Sequence, residues 1–344
     1  MKNHVTEYLR AVSQTLFFRN AGFGFGLLVL FLIFDRTLFL YGFVGSVIGY
    51  GYSVTYSTPK VLRDWGLITV NGLFFGISMA SLFAPSPALA VCLILGALSI
   101  PLVTKAAFEV LQHWKLSPFV LPYILSAWVF WLCARGAAVE LRPQQWPEVI
   151  ATLPHFQSHY SNGSLPAQLM ISALMGMGRL LFIPNPVFGL SLLILIAAFS
   201  PRRGLYFSLG TVAATVAAFL ISTGSASWEY GYFSYSAGLV GLGLASFPEK
   251  FAARTILLFC MISCFLTIAS EQLLGSLHLP SLSIPYVVTL WLGALSRVPR
   301  VSVNWNTNAI AYKSPLASTK RAKLVVSDAK IATDSTTIGV QKVS

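Results

Sequence analysis

Two stretches of this 344-residue chain gather aromatic rings, hydroxyls and broken backbone: LSPFVLPYILSAW, Leu116–Trp128, and LPSLSIPYVVTLW, Leu279–Trp291. Both carry Pro-Tyr, at Pro122-Tyr123 and Pro285-Tyr286, and both place a Trp five residues beyond that Tyr, at Trp128 and Trp291. A proline inside an apolar run is expected to break the helix and leave carbonyls without an intrahelical donor. In hydrocarbon such backbone is tolerated only where protein buries it or where it lines a wet cavity. Two breaks at corresponding places in two halves point to a solute site at the membrane midplane. Ordinary proline kinks are the plainer alternative.

The elements that must hold these breaks are membrane helices. Hydrophobic residues make up 56% of the chain and charged residues only 10%. That excludes a soluble domain, and the continuous, non-alternating apolar runs argue against a β-barrel. Runs fall near 23–34, 37–56, 66–84, 88–104 and 119–135, then near 165–183, 187–200, 204–222, 233–247, 255–277 and 283–296. Several are shorter than the roughly 20 residues of a full span, so some are half-spanning or tilted. The start, MKNHVTEYLRAVSQ, makes a poor secretory signal. TKAAFEVLQHWK, with Lys105, Glu109 and His113, reads as an interfacial face between two runs.

About half of the net charge of +12 lies from Arg297 onward. A basic tail is expected on the cytoplasmic side, and nucleic-acid binding is a poor second reading. Its Ser/Thr/Lys-rich end has a disordered composition. Cys92, Cys133, Cys260 and Cys264 all sit in apolar runs and read as packing residues; no metal set or cofactor motif surrounds them.

Sliding the chain by about 165 residues lays its first half over its second. Phe17 meets Phe182, Gly24 meets Gly189, Asn71 meets Ser236, and Ser57-Thr58 meets Ser222-Thr223, while the Pro-Tyr breaks match at an offset two residues shorter. The expected organisation is a first repeat over 1–135, an extracytoplasmic link over 136–164, a second repeat over 165–299 and a tail over 300–344. An odd number of spans per repeat would invert the second copy.

Three doubled patterns carry a family resemblance. QTLFFRNAGFG, Gln14–Gly24, pairs with RLLFIPNPVFG, Arg179–Gly189. GLITVNGLFFG, Gly66–Gly76, pairs with GYFSYSAGLVG, Gly231–Gly241, and the two Pro-Tyr stretches form the third. Over residues 7–297 the chain resembles the urea transporters. The resemblance implies an all-α polytopic fold of two inverted repeats, each with five spanning helices and one half-spanning re-entrant helix. It also implies homotrimers among membrane lipids, one pore per subunit, and passive permeation without a cofactor.

In that resemblance Phe17, Phe182 and Tyr235 form the walls of a flat slot, Ser283 is a midplane acceptor, and Gln14 meets the solute at one mouth. Urea has four N–H donors and one carbonyl, so a selective pore must offer acceptors yet release the solute. A row of backbone carbonyls and hydroxyls from the broken helices is expected to supply them. Aromatic faces tolerate N–H groups and exclude hydrated ions. None of the three patterns is intact: Ala21 replaces the Pro of the first, Tyr235 a Phe and Ser283 a Thr. Three further departures change the chemistry of the pathway. Val70 stands where a Phe is usual, Val120 where a Thr is usual, and Arg179 at the place matching Gln14.

Arg179 brings a permanent charge and donors only. It would hold a urea carbonyl, re-tune the pore to a small carboxylate or amino-acid-like solute, or turn away and pair with Glu7 or Glu271. Glu271 itself reads as a helix-end residue reaching the interface. A non-conducting receptor or scaffold working through the tail is a further alternative. An enzyme is the least supported reading, because no paired carboxylates or metal-spaced His cluster is present. ATP-driven transport has no nucleotide-binding loop to support it. The inner or plasma membrane, with both termini cytoplasmic, is the expected location.

Overall fold

The structure, a computed structural model, describes residues 3–56, 58–137, 139–142, 164–221, 228–247 and 251–296. The chain divides into two compact units, Met1–Arg297 and Val298–Ser344, and all of the described residues belong to the first. The tail, most of the expected link, and the match of Ser57 to Ser222 and Thr223 lie outside the described residues.

Thirteen α-helices run through the described residues: α1 His4–Ser13, α2 Ala21–Phe34, α3 Arg36–Thr55, α4 Lys60–Asp64, α5 Leu67–Leu82, α6 Pro87–Leu111, α7 Leu121–Gly136, α8 Leu165–Arg179, α9 Pro186–Phe199, α10 Pro201–Ile221, α11 Tyr235–Ser246, α12 Ala253–Ser276 and α13 Ile284–Ser296. Among them, α3, α6, α10 and α12 are long and apolar enough to cross a membrane. The pair His4–Leu16 and Ala21–Phe34, bent by 73°, passes the same test together. The shorter apolar helices α5, α9, α11 and α13 hold 12 to 16 residues. At about 1.5 Å per residue they cover less than the roughly 30 Å hydrocarbon core. Their ends therefore bring loop backbone to membrane depth, where it must be buried in protein or line a wet cavity.

Among the described residues, every left-handed position of the first half has a counterpart in the second. Phe17 and Phe182 (φ 63° and 64°) and Gly66 and Gly231 (57° and 64°) are each 165 residues apart. Lys115 and His278 (58° and 56°) and Phe119 and Leu282 (44° and 48°) are each 163 apart. Helix starts repeat as well. Asn20 caps α2 through the N–H groups of Gly22 and Phe23, and Asn185 caps α9 through those of Val187 and Phe188.

Several contacts between the halves come in exchanged pairs, the pattern a two-fold relation produces. Phe23 packs edge-on to Phe199 at 5.5 Å, and Phe188 packs on Phe34 at 5.3 Å. The Trp128 indole N–H donates to the Pro280 carbonyl, and that of Trp291 donates to the Ser117 carbonyl, both at 2.8 Å. Gly24 and Gly189 permit the close helix crossings within each half: a Cβ there would lie 2.0 Å from the Leu9 carbonyl oxygen or 1.9 Å from that of Leu174.

Four sequence expectations need correction. Pro122 and Pro285 do not interrupt helices; each occupies the second position of α7 or α13, where a missing N–H costs nothing. The run ending near 104 continues as helix to Leu111, carrying a buried Pro101 within it. The first half also begins one helix earlier than the apolar runs suggest. The reason is that α1, HVTEYLRAVS, is too polar to stand out, although it corresponds to the apolar α8. Finally, Cys133 is exposed on α7 and does not pack, whereas Cys260 and Cys264 are buried. Glu109 and His113 are exposed, as an interfacial face requires.

Candidate functional site

The second-half break is built by three elements. The left-handed turn at Phe182 ends α8 and turns the chain toward α9. The turn through Gly231 delivers Tyr232 and Tyr235 at the start of α11. The loop Leu277–Ser283 drops from α12 to α13 and presents Ser281, Leu282 and Ser283. Together they form a half-open cavity of about 70 Å³, lined by Arg179, Phe182, Tyr235, Ser283, Glu271 and Ser81 among others. Because one water needs only about 10–15 Å³ of such space, there is room for several waters or one small planar solute.

The walls are more apolar than polar, and most of their polar groups are held in place by neighbours. The Arg179 guanidinium lies 4.5 Å above the Tyr232 ring centre, a cation–π distance. The Tyr232 hydroxyl donates to a Glu271 carboxylate oxygen at 2.8 Å, and the Ser281 hydroxyl donates to the other. Tyr235 donates its hydroxyl to the Leu282 carbonyl. The hydroxyls of Tyr123 and Ser283 lie 2.6 Å apart.

These observations decide two open points. Arg179 is only 8% exposed and faces the cavity, so it does not turn away to solvent. Glu271 is not an interfacial helix-end residue; the hydroxyls of Tyr232 and Ser281 hold its carboxylate in the cavity wall. Glu7 stands elsewhere, against Tyr50.

The structure brings Arg179, Phe182, Tyr235 and Ser283 to this one cavity, and Gln14, Phe17, Val70 and Val120 are not in its lining. Val70 and Val120 are buried at 4% and 5% exposure. Phe17 rests against Phe119 and Tyr286, with ring centres 6.5 and 6.3 Å away. Arg203 of α10 donates to the Phe17 carbonyl at 3.1 Å and lies over Phe18. Gln14 opens the short 3₁₀ turn after α1 and is half-buried.

The carbonyls near the breaks are engaged by side chains. Asn71 donates to the Phe119 carbonyl at 2.9 Å, joining the Ser117, Pro280 and Leu282 carbonyls already described. The expected row of vacant acceptors is therefore partly filled. Each of these carbonyls has one protein donor and one lone pair to spare.

The sequence model of the urea transporter family matches residues 5–297, and matches again over 170–332. The chain belongs to the urea transporter family. It is similar to urea transporter 1 of Mus musculus, 24% identical over 286 residues that cover 79% of this chain and 72% of that protein. It is also similar to urea transporter 1 of Ovis aries, 23% identical over 323 residues, covering 90% and 79%.

Within this family member, the polar lining of the described cavity falls mostly in the second half. Sequence comparison singles out Arg179, Tyr235 and Ser283, but Tyr232, Ser281 and Ser81 escape it. No doubled motif contains Ser81. Tyr232 and Ser281 lie inside quoted motifs without a polar match, opposite Leu67 and Pro118. The absence of a polar counterpart is the signal that could have found them.

Proposed function

We propose that the protein is a passive, channel-type transporter carrying urea, or a closely related small neutral amide, down its gradient across the inner or plasma membrane. The observation that carries this reading is the family match over residues 5–297, with the cavity at the second break as its physical support. Phe182 and Tyr235 supply aromatic faces, Ser283 supplies a hydroxyl, and Arg179 is a donor for the solute carbonyl. Phe17 walls the corresponding first-half passage and Gln14 stands at its mouth, with Val70 and Val120 making that half less polar.

Two inverted repeats, 1–135 and 165–299, form the pore of each subunit in a homotrimer. The link at 136–164 is extracytoplasmic, and both termini and the 300–344 tail are cytoplasmic. The exchanged contacts between halves support this arrangement. No bond is made or broken, so the protein is not an enzyme.

Stopped-flow light scattering on proteoliposomes under an inward urea gradient tests the proposal. Fast volume recovery without a Na⁺ or proton gradient is the expected result. Strict dependence on an ion gradient, or recovery no faster than in empty vesicles, would overturn it. A small carboxylate is the weaker reading, since Glu271 shares the wall with Arg179.

A further inference from the structure

The two halves serve as each other's control, and they differ as a set around Arg179. At the positions matching Arg179, Tyr232, Glu271 and Ser281, the first half has Gln14, Leu67, Phe108 and Pro118. Where one half keeps a neutral amide among apolar residues, the other introduces a cation together with a carboxylate and two hydroxyls that hold it. Arg179 and Glu271 line the same cavity and are near enough to interact electrostatically. A buried charge left without an opposite is strongly unfavourable, whereas a pair leaves a dipole with no net charge.

Ser81 adds an independent sign of a ligand. It is fully buried, lines this cavity, and its hydroxyl has no hydrogen-bond partner among the described residues. Its counterpart Ser246 is satisfied by the Leu242 carbonyl at 2.7 Å. A buried hydroxyl is costly unless something completes its hydrogen bonding.

We infer that Arg179, Glu271 and Ser81 form a dipolar cradle for net-neutral solutes that carry a carbonyl beside N–H donors, and that Glu271 is the residue that excludes small carboxylates. The inference rests on the proposed urea permeation and deepens it. The carbonyl accepts from Arg179 while the N–H groups donate toward Glu271 and Ser81. A carboxylate would also be drawn to Arg179 but is repelled by Glu271 in the same wall, a repulsive element that confers specificity. Removing the Glu271 charge alone would turn the cavity into an anion site.

The test uses Glu271→Gln, Arg179→Gln and the double variant in the full chain, with acetate as the probe. Glu271→Gln keeps an oxygen for one of the two hydroxyls and turns its NH2 toward the other, which can rotate to accept, so the side-chain network is kept with little change of shape. In detergent, acetate should raise the Tm of Glu271→Gln and leave wild type, Arg179→Gln and the double variant unmoved. In proteoliposomes, urea flux should fall by about tenfold in Glu271→Gln and become acetate-inhibited. The double variant should regain most of the flux and lose the inhibition. Acetate raising the Tm of wild type as much as that of Glu271→Gln, or failing to raise that of Glu271→Gln, would overturn the inference. The thermal shift is read whether or not urea crosses, so absence of wild-type flux would sink the proposed function while the shift still decides the cradle.

Discussion

The hydroxyls of Tyr123 and Ser283 meet at 2.6 Å and join the starts of α7 and α13 across the two halves. The exchanged position has no equivalent, because Val120 stands where the partner of Tyr286 would need a hydroxyl. Ser283→Ala would leave the fully buried Tyr123 hydroxyl without this partner, at a cost of about 1–3 kcal/mol. The Tm should drop in that variant and recover in Tyr123→Phe/Ser283→Ala. An unchanged Tm in the single variant would show that the contact contributes nothing.

The indole bonds from Trp128 and Trp291 are equal in length and exchanged in position. Trp128→Phe and Trp291→Phe should therefore destabilise by similar amounts, about 1 kcal/mol each for the lost hydrogen bond alone. Thermal melts of the two single variants check this. A large effect in only one would mean that the halves do not share the load.

At Gly24 and Gly189 a methyl group would strike backbone oxygen, which cannot move aside as a side-chain tip can. Gly24→Ala and Gly189→Ala should each destabilise by at least about 3 kcal/mol, seen as loss of monodisperse protein on size exclusion. Gly51 is the control: it lies in the interior of α3 with nothing within 4 Å of its added Cβ. Gly51→Ala should be neutral or stabilising by up to about 1 kcal/mol.

Asn71 accepts from the Tyr123 N–H at 2.9 Å and donates to the Phe119 and Leu67 carbonyls. It thereby satisfies one of the N–H groups that α7 leaves open at its start. Its counterpart Ser236 turns instead to Ser263 and Thr267. Asn71→Ala should speed hydrogen exchange at the first turn of α7 and leave α13 unaffected. Equal acceleration at both helices would argue for global loosening instead.

The membrane class, the doubling and the two offsets are legible in the residues alone. Each rests on composition or on residue identity at fixed spacing, and Phe17/Phe182 and Gly66/Gly231 need no coordinates to be paired. The first helix, α1, is missed because its polar residues give no apolar run. The prolines are misplaced because a proline that opens a helix reads like one that ends it. Where the charges go is a matter of packing. Arg179 and Glu271 are 92 positions apart, on α8 and α12. Whether they share one cavity or face opposite sides depends on how those helices cross, and no periodicity along a single chain encodes that. The hydroxyls of Tyr232 and Ser281, which hold Glu271 inward, come from two further elements, so the wall of the site exists only once all four have packed.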